Sequence, residues 1–575
     1  MAESFDFIIA GGGTAGLVLA ARLSEDPSQK ILVLEAGADI SADPRLITPA
    51  LNTALMGTDA DWAFTTVPQD LLDNWAKLGN PGWGSADMDK YLRKPFTFPK
   101  VDDAAGKALG VTSWTDCEGD GPLQLSFPGD ASHPLREAWA DTFKDNGYTM
   151  PGNPYAEASQ GSFSCLATID PKTRTRVYSA NAYYQPAKDR ENLRVLTGAL
   201  VEKVLLETAD GATKAKGIQY TLNGETLTAT ATKEVILSAG TIQSPKLLEL
   251  SGIGNPAILE KHGIEVVQDL VGVGENFQDH LVCGISFEVR EGIETLDGLM
   301  RQEPEALGKA MQEYATSQSG PLTSIGILSY AYLPIIEHIS GQSLEAFNRA
   351  LEARSHPSGS TAEQSRDAAL REIGEKMLLD PKGASGSFFA VTAQTPLPTD
   401  PDSDSPTGPV AGNWITFASM LTQPLSRGSV HIQSNKTSDA PTIDPRYLSE
   451  PIDVEVFARH MLYVQQLAGT GSLAGLFKQP PIHRDPASRL GSVEEAKNFV
   501  RQCAISMWHY GGTCSMLPRD KAGVVDPQLR VHGVENLRVV DSSVVPIVST
   551  GNMQHCVYAI AEKAADMIKE TYGLK

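Results

Sequence analysis

Basic residues are scarce in this chain of 575 residues: 48 Lys and Arg stand against 70 Asp and Glu, a formal net charge of −22. That balance excludes nucleic acid and anionic membrane surfaces as partners, because both reward basic patches. Cysteine is scarce as well. The six cysteines, Cys117, Cys165, Cys283, Cys503, Cys514 and Cys556, show no Cys-x-x-Cys spacing. A disulfide scaffold and a thiolate metal centre are both excluded, and buried free thiols are expected. No apolar run approaches the length of a membrane span. No basic segment followed by a hydrophobic stretch stands at the amino terminus, so a cytoplasmic protein without a secretory leader is expected. The closing Gly573-Leu574-Lys575 is not the usual peroxisomal address. No solenoid repeat is visible. What remains is an ordinary enzyme composition, 41% hydrophobic and 21% charged. Its length suits two domains, or one large domain with a second inserted.

The chemistry begins at once. A strand-like run, Phe5 to Ile9, leads into Gly11-Gly12-Gly13-Thr14-Ala15-Gly16. A small-residue helix over Leu17 to Leu23 follows, and a second apolar run, Ile31 to Leu34, ends on Glu35. The spacing predicts one βαβ unit that binds a dinucleotide. Gly11 allows the tight turn, Gly13 lets backbone approach a pyrophosphate, and Gly16 lets helix and strand pack closely. The helix N-terminus offers N–H groups to phosphate, and Glu35 can accept from a ribose.

Further along, Leu193 to Tyr220 alternates as strands, with a turn at Asp210-Gly211. Val235 to Gly240 reads as a buried strand running into a glycine turn, after which Ser244-Pro245 opens a helix to Leu250. The middle changes character. Glu303–Thr316, Leu344–Ala353 and Thr361–Leu379 read as helices, the last with Ser360 and Glu363 in capping-box spacing. Segments starting at Gly386, Asn413 and Gly428 read as strands, which predicts an antiparallel sheet with helices on one face. The span from Pro396 to Gly412 reads as a surface loop. Leu537 to Asp541 returns to a buried strand ending in an acid, and a helix over Val557 to Lys569 follows Asn552. The fold expected is α/β: a Rossmann-like domain made of residues 1–285 and 500–575, with an inserted α+β substrate domain at 286–499. Some substrate-domain segments are expected around 70–190.

Several segments together resemble the glucose–methanol–choline (GMC) flavoprotein oxidoreductases. They are the opening βαβ unit through Leu34-Glu35-Ala36-Gly37, Gly240 to Gly254, Gly272 to His280, Gln423 to Val430 with Ile443 to Leu448, and Trp508-His509 to Met516. Val525-Asp526-Pro527, Val540-Asp541 and Gly551-Asn552 follow in order. The resemblance implies an FAD-binding fold of GMC type and an enzyme that oxidises a small-molecule alcohol by hydride transfer to flavin N5, with secondary metabolism as its setting. It implies His509 as general base and Asn552 as its partner over the flavin. FAD is then expected against Gly11, Gly13, Thr14, Ala15, Gly16, Glu35, Val201, Trp508, Asp541 and Asn552. Chemistry agrees: an alcohol releases hydride readily only as its proton leaves, and an imidazole suits that task. An amide can donate to the developing alkoxide, or Asn552 can cap its helix. His280 is read as a structural support, and His555 as packing or pocket lining. A non-redox cyclase or dehydratase with structural FAD is the alternative.

One departure is large. In the resembled pattern, the segment matching Trp62 to Gln69 precedes a long Gly- and Ser-rich stretch along the flavin, and only then comes the match to Asn74–Trp83. Here Asp70-Leu71-Leu72-Asp73 alone joins the two. Loss of phosphate-binding N–H groups and entry of water are the expected consequences. An omitted stretch of sequence, a tolerated truncation and an inactive variant are the explanations that this leaves open.

Overall fold

The structure, a computed structural model, describes residues 3–51, 70–101, 106, 119–150, 160–335, 342–353, 359–395 and 408–575. Cys117, the segment Trp62–Gln69 and most of the expected loop after Pro396 lie outside the described residues.

Among the described residues, eight strands form one sheet. Glu3–Ala10 lies at its centre, parallel to Ile31–Leu34 on one side and to Glu225–Leu237 on the other. Leu193–Leu196 and Leu537–Val539 extend the parallel set outward. Ile8, Ile9, Val33, Val235 and Ile236 are fully buried. Continuous Ile, Val and Leu runs, in place of alternation, are what a strand covered on both faces requires. Helix Thr14–Leu23 packs on the C-terminal helix, Met553–Tyr572. An antiparallel meander, Ala199–Ala209, Ala212–Leu222 and Glu225–Leu237, grows from the same sheet. Its hairpins turn at Asp210-Gly211 and Asn223-Gly224, all four with positive φ, the pairing that matches strand twist.

A second sheet of six antiparallel strands runs in the order Ile505–Ser506, Leu281–Glu288, Trp414–Leu421, Gly386–Val391, Ile327–Leu333 and Gly161–Ser164. Period-two alternation divides its faces. Ala331, Leu333, Phe388, Phe417 and Leu421 pack with Trp139, Phe457 and Phe499 from helices Pro134–Asp145, Pro451–Leu467 and Val493–Cys503. Tyr330, Tyr332, Phe389, Ala418 and Met420 point the other way and join the core of the first sheet.

Two helices start earlier than expected. The helix expected at Ser244 begins at Gly240 and carries Pro245 inside it. A proline there removes the N–H that would bond Thr241. The Thr241 carbonyl accepts instead from Thr513 Oγ1 at 2.6 Å. The final helix starts at Met553, directly after Asn552, not at Val557.

Candidate active site

The parallel strands end at Ala10, Leu34, Leu237 and Val539, and the groups singled out in the sequence follow those ends. This is the edge at which open α/β sheets bind ligands. Gly11 has φ +108°, and a Cβ there would stand 2.3 Å from the Ser238 carbonyl oxygen. A Cβ on Gly16 would stand 1.9 Å from the Gly11 carbonyl oxygen. Both glycines are therefore demanded by the chain's own packing. Gly13 is different: nothing lies within 4 Å of where its Cβ would be. The space beside it is open, as a cradle for an external group must be. Helix Thr14–Leu23 starts here without a side-chain cap. The N–H groups of its first turn, from half-buried Thr14 and buried Ala15 and Gly16, meet no capping oxygen, and the positive end of the helix dipole adds to them.

Glu35 closes the turn from the neighbouring strand. Its two oxygens accept from Gly12 N at 2.7 Å and Gly37 N at 2.8 Å, and each keeps capacity for a further donor. The Glu35 carbonyl accepts from Ala199 N at 2.9 Å. Val201, 7% exposed and opposite Tyr220, lies two residues further along that strand. Asp541 is buried and binds inward. It accepts from Gly240 N, from Ser244 Oγ and from both the N and Oγ of Ser543. Burial raises its pKa against those four donors. Asp541 thus fixes the Gly240 turn at the edge of the site. An open cradle at Gly13, a bare helix start and a two-pronged carboxylate together fit the diphosphate and ribose of a dinucleotide.

The second half of the site is built around His509. Trp508, half-buried, has φ +57°, a rare conformation for a bulky side chain. Its N–H is held by Ser506 Oγ at 2.8 Å. This bend turns the His509 ring inward, where it is 1% exposed. His509 N donates to Asp279 Oδ1 at 2.9 Å, and the hydroxyl of Tyr447 donates to Asp279 Oδ2. His509 Nε2 lies 3.0 Å from Asn552 Nδ2, and its Nδ1 lies 2.8 Å from His280 Nδ1. With the amide nitrogen as donor, Nε2 carries the lone pair and Nδ1–H points at His280. Asn552 occupies the N-cap position of the last helix, yet its side chain makes no capping bond. The expected capping bond is absent, and the side-chain nitrogen faces His509 instead.

Burial depresses the His509 pKa well below the usual imidazole value, and the adjacent His280 depresses it further. Burial brings His280 to about 4. Both rings are neutral near pH 7. Burial pushes Asp279 up to about 6 against its hydrogen-bond donors.

The two halves are stitched together. Thr241 Oγ1 donates to the Tyr510 carbonyl at 2.9 Å and pairs with Ser542 Oγ at 2.7 Å. His280, read from sequence as a structural support, is in direct contact with His509, and Asp279 and Tyr447 were not singled out at all. The available signal was a polar pair, Asp279-His280, opening the apolar run Leu281-Val282-Cys283. His555 is a packing residue: its Nε2 bonds the Leu92 carbonyl at 2.6 Å. Among the described residues, no group of three or more His, Cys, Asp or Glu could hold a metal ion. None of the described helices is long and apolar enough to cross a membrane, and Cys165, Cys283, Cys503, Cys514 and Cys556 are free and buried.

Comparison with known proteins gives the family. The GMC oxidoreductase signatures match residues 5–282 and 424–561. A dehydrogenase of Monascus purpureus, mpl7, is 33% identical, with 99% of this chain and 96% of that protein covered. The alignment runs to 616 positions and takes in 99% of the 575 residues here, so more than 40 positions of that relative face no residue in this chain. Among solved structures, an FAD-dependent oxidoreductase from Chaetomium thermophilum superposes with a TM-score of 0.85 at 28% identity, covering 99% of this chain and all of that one. The formate oxidase of Aspergillus oryzae RIB40 reaches 0.81 at 26%, covering 100% of this chain and 99% of that one. The chain belongs to the GMC oxidoreductase family and is an FAD-dependent oxidoreductase.

Proposed function

We propose that the chain oxidises a neutral small-molecule alcohol, with His509 Nε2 taking the hydroxyl proton and the Asn552 amide donating to the substrate oxygen. The observation that carries this reading is the buried pair itself, Nε2 and Nδ2 at 3.0 Å. A substrate oxygen that faces both atoms and displaces their mutual bond would meet one acceptor and one donor, which is what deprotonation with oxyanion stabilisation needs. FAD supplies the hydride acceptor when bound. The chain's own part is to hold and orient. The Gly11–Gly16 turn and Glu35 hold diphosphate and ribose, Asp541 fixes the Gly240 turn, and His280 keeps the proton of His509 on Nδ1. A net charge of −22 suits a neutral substrate better than an anionic one.

The test is the visible spectrum of the purified protein. Under anaerobic conditions an alcohol substrate should bleach the flavin band in the wild type but not in His509→Ala. Unchanged bleaching in the variant would overturn the base assignment. A second reading, an FAD-holding protein that no longer transfers hydride, draws support from the more than 40 positions missing against mpl7. It requires a yellow wild-type protein whose flavin stays oxidised with every alcohol offered.

A further inference from the structure

Two residues adjacent in sequence grip His509 at two points. His280 meets its ring, Nδ1 to Nδ1 at 2.8 Å, and Asp279 Oδ1 accepts from its backbone N at 2.9 Å. Both stand directly before strand Leu281–Glu288, whose first two residues pair with Ser506 and Ile505. The ladder therefore sets where the grip acts. What it steadies is a strained bend. Trp508 at φ +57° is a conformation that a bulky residue keeps only when its surroundings impose it. The two successive N–H groups of that bend go to Ser506 Oγ and Asp279 Oδ1.

Asp279 is itself held through its other oxygen. The hydroxyl of Tyr447 donates to Oδ2. Burial and the neighbouring carboxylate raise the Tyr447 pKa, so the hydroxyl keeps its proton and remains a donor. Close packing does not replace this bond. A small cleft lies against the pair, walled by half-buried Pro445 and Leu448 and by buried Phe277 and Leu421. Side chains beside a cleft lack contacts on one side, so the hydrogen bond fixes the carboxylate there.

We propose that Asp279 and Tyr447 are positioning residues for the reaction, clamping the backbone of His509 so that Nε2 stays aligned with Asn552 and the substrate hydroxyl. This rests on His509 being the base. Asp279 acts through the peptide N–H of His509 and not through its ring. Loosening the clamp therefore misplaces the base while leaving the cofactor cradle at Gly11–Gly16 untouched.

The experiment uses the full-length chain with Tyr447→Phe, Asp279→Ala, Asp279→Asn and His509→Ala. Thermal melts of the cofactor-free proteins come first. Tyr447→Phe should melt close to the wild type, since it keeps its ring against the cleft and loses one hydrogen bond. Samples matched for bound FAD are then reduced anaerobically in a stopped-flow instrument over a range of alcohol concentrations. The limiting rate should fall about tenfold in Tyr447→Phe and about a hundredfold in Asp279→Ala, the scale of a misplaced reacting group. Asp279→Asn keeps an oxygen for His509 N and should lie between wild type and Asp279→Ala. The alcohol concentration giving half the limiting rate should stay within about twofold throughout, because the loss is in alignment and not in binding. Wild-type limiting rates in Tyr447→Phe and Asp279→Ala would overturn the proposal. So would a loss that appears only as weaker alcohol binding. A Tyr447→Phe chain that fails to fold or to hold FAD would overturn it as well, because the pair would then be structural. An inert His509→Ala beside unimpaired Tyr447 and Asp279 variants would remove this proposal alone. Full reduction of His509→Ala, or a wild type that no alcohol reduces, would remove the base reading and the clamp with it.

Discussion

His280 and His509 meet edge to face, Nδ1 to Nδ1 at 2.8 Å, with their rings at 90°. Two neutral imidazoles can share that bond only with one proton between them. If His509 donates, its Nε2 is left as the base, so His280 selects the tautomer that the reaction requires. His280→Ala frees that choice without touching the base itself. The rate of flavin reduction by alcohol should fall roughly ten- to hundredfold, a part of what a positioned base contributes. FAD content should be unchanged. Stopped-flow reduction of matched, fully yellow samples measures this, and an unaltered rate would remove His280 from the site.

The pH profile follows from burial. A base must be unprotonated to act, and burial with the neighbouring His280 holds the His509 pKa well below the usual value. The acid limb of kcat/KM should therefore lie below pH 6.5, and the profile should stay flat through neutrality. A limb centred at or above 6.5 would show that His509 is more solvated than its 1% exposure implies.

Stability should respond to pH at a different histidine. His431 sits between two carboxylates, Nδ1 to Glu249 at 2.8 Å and Nε2 to Glu275 at 3.1 Å. Burial alone would lower its pKa, but the two carboxylates overcome it and raise the value to about 9. Because the folded value exceeds the unfolded one, the clamp's contribution is complete below about pH 6.5 and is lost as pH rises through 9. It amounts to roughly 3 kcal/mol. His431→Gln should lower the melting temperature at pH 6, and the gap to wild type should close by pH 10.

Much of the cofactor half was legible because it is local. The glycine turn, its helix and Glu35 lie within one βαβ unit, and turn chemistry and strand burial specify them without reference to the rest of the chain. The other half is not local. The bond between His280 and His509 spans 229 positions. It exists because Leu281–Glu288 and Ile505–Ser506 pair in the second sheet. No periodicity in either segment announces that pairing. Pro245 misled for a related reason. A proline that usually opens a helix is tolerated within one here because Thr513, a long way along the chain, satisfies the carbonyl it strands.

Glu562 links three helices. It is fully buried, takes Arg22 through both oxygens at 2.8–3.0 Å, and receives Lys94 at 2.9 Å and the hydroxyl of Tyr183 at 2.8 Å. Glu562→Ala would leave Arg22 with Glu25 and Lys94 with Asp566 as their remaining carboxylates, and both cations are partly exposed. A loss of about 1–3 kcal/mol is expected, the cost of charge-assisted hydrogen bonds removed, read as an earlier midpoint in urea.

Gly13 and Gly16 make the sharpest contrast. In Gly16→Ala the new methyl would have to occupy the place of the Gly11 carbonyl oxygen, 1.9 Å away. The turn must move, so the cofactor-free protein should lose stability. In Gly13→Ala the methyl enters empty space, with no atom within 4 Å and an extended backbone at φ −80° and ψ −159° that alanine adopts without strain. The cofactor-free melting temperature should change little, since alanine narrows the unfolded ensemble but suits the N-cap position of Gly13 less well than glycine. FAD affinity should drop, because the methyl stands where the diphosphate must approach the backbone. Melting curves of both variants with and without FAD separate the two roles. If Gly13→Ala kept the full FAD-dependent rise in melting temperature, the cradle would have to lie elsewhere on the sheet edge.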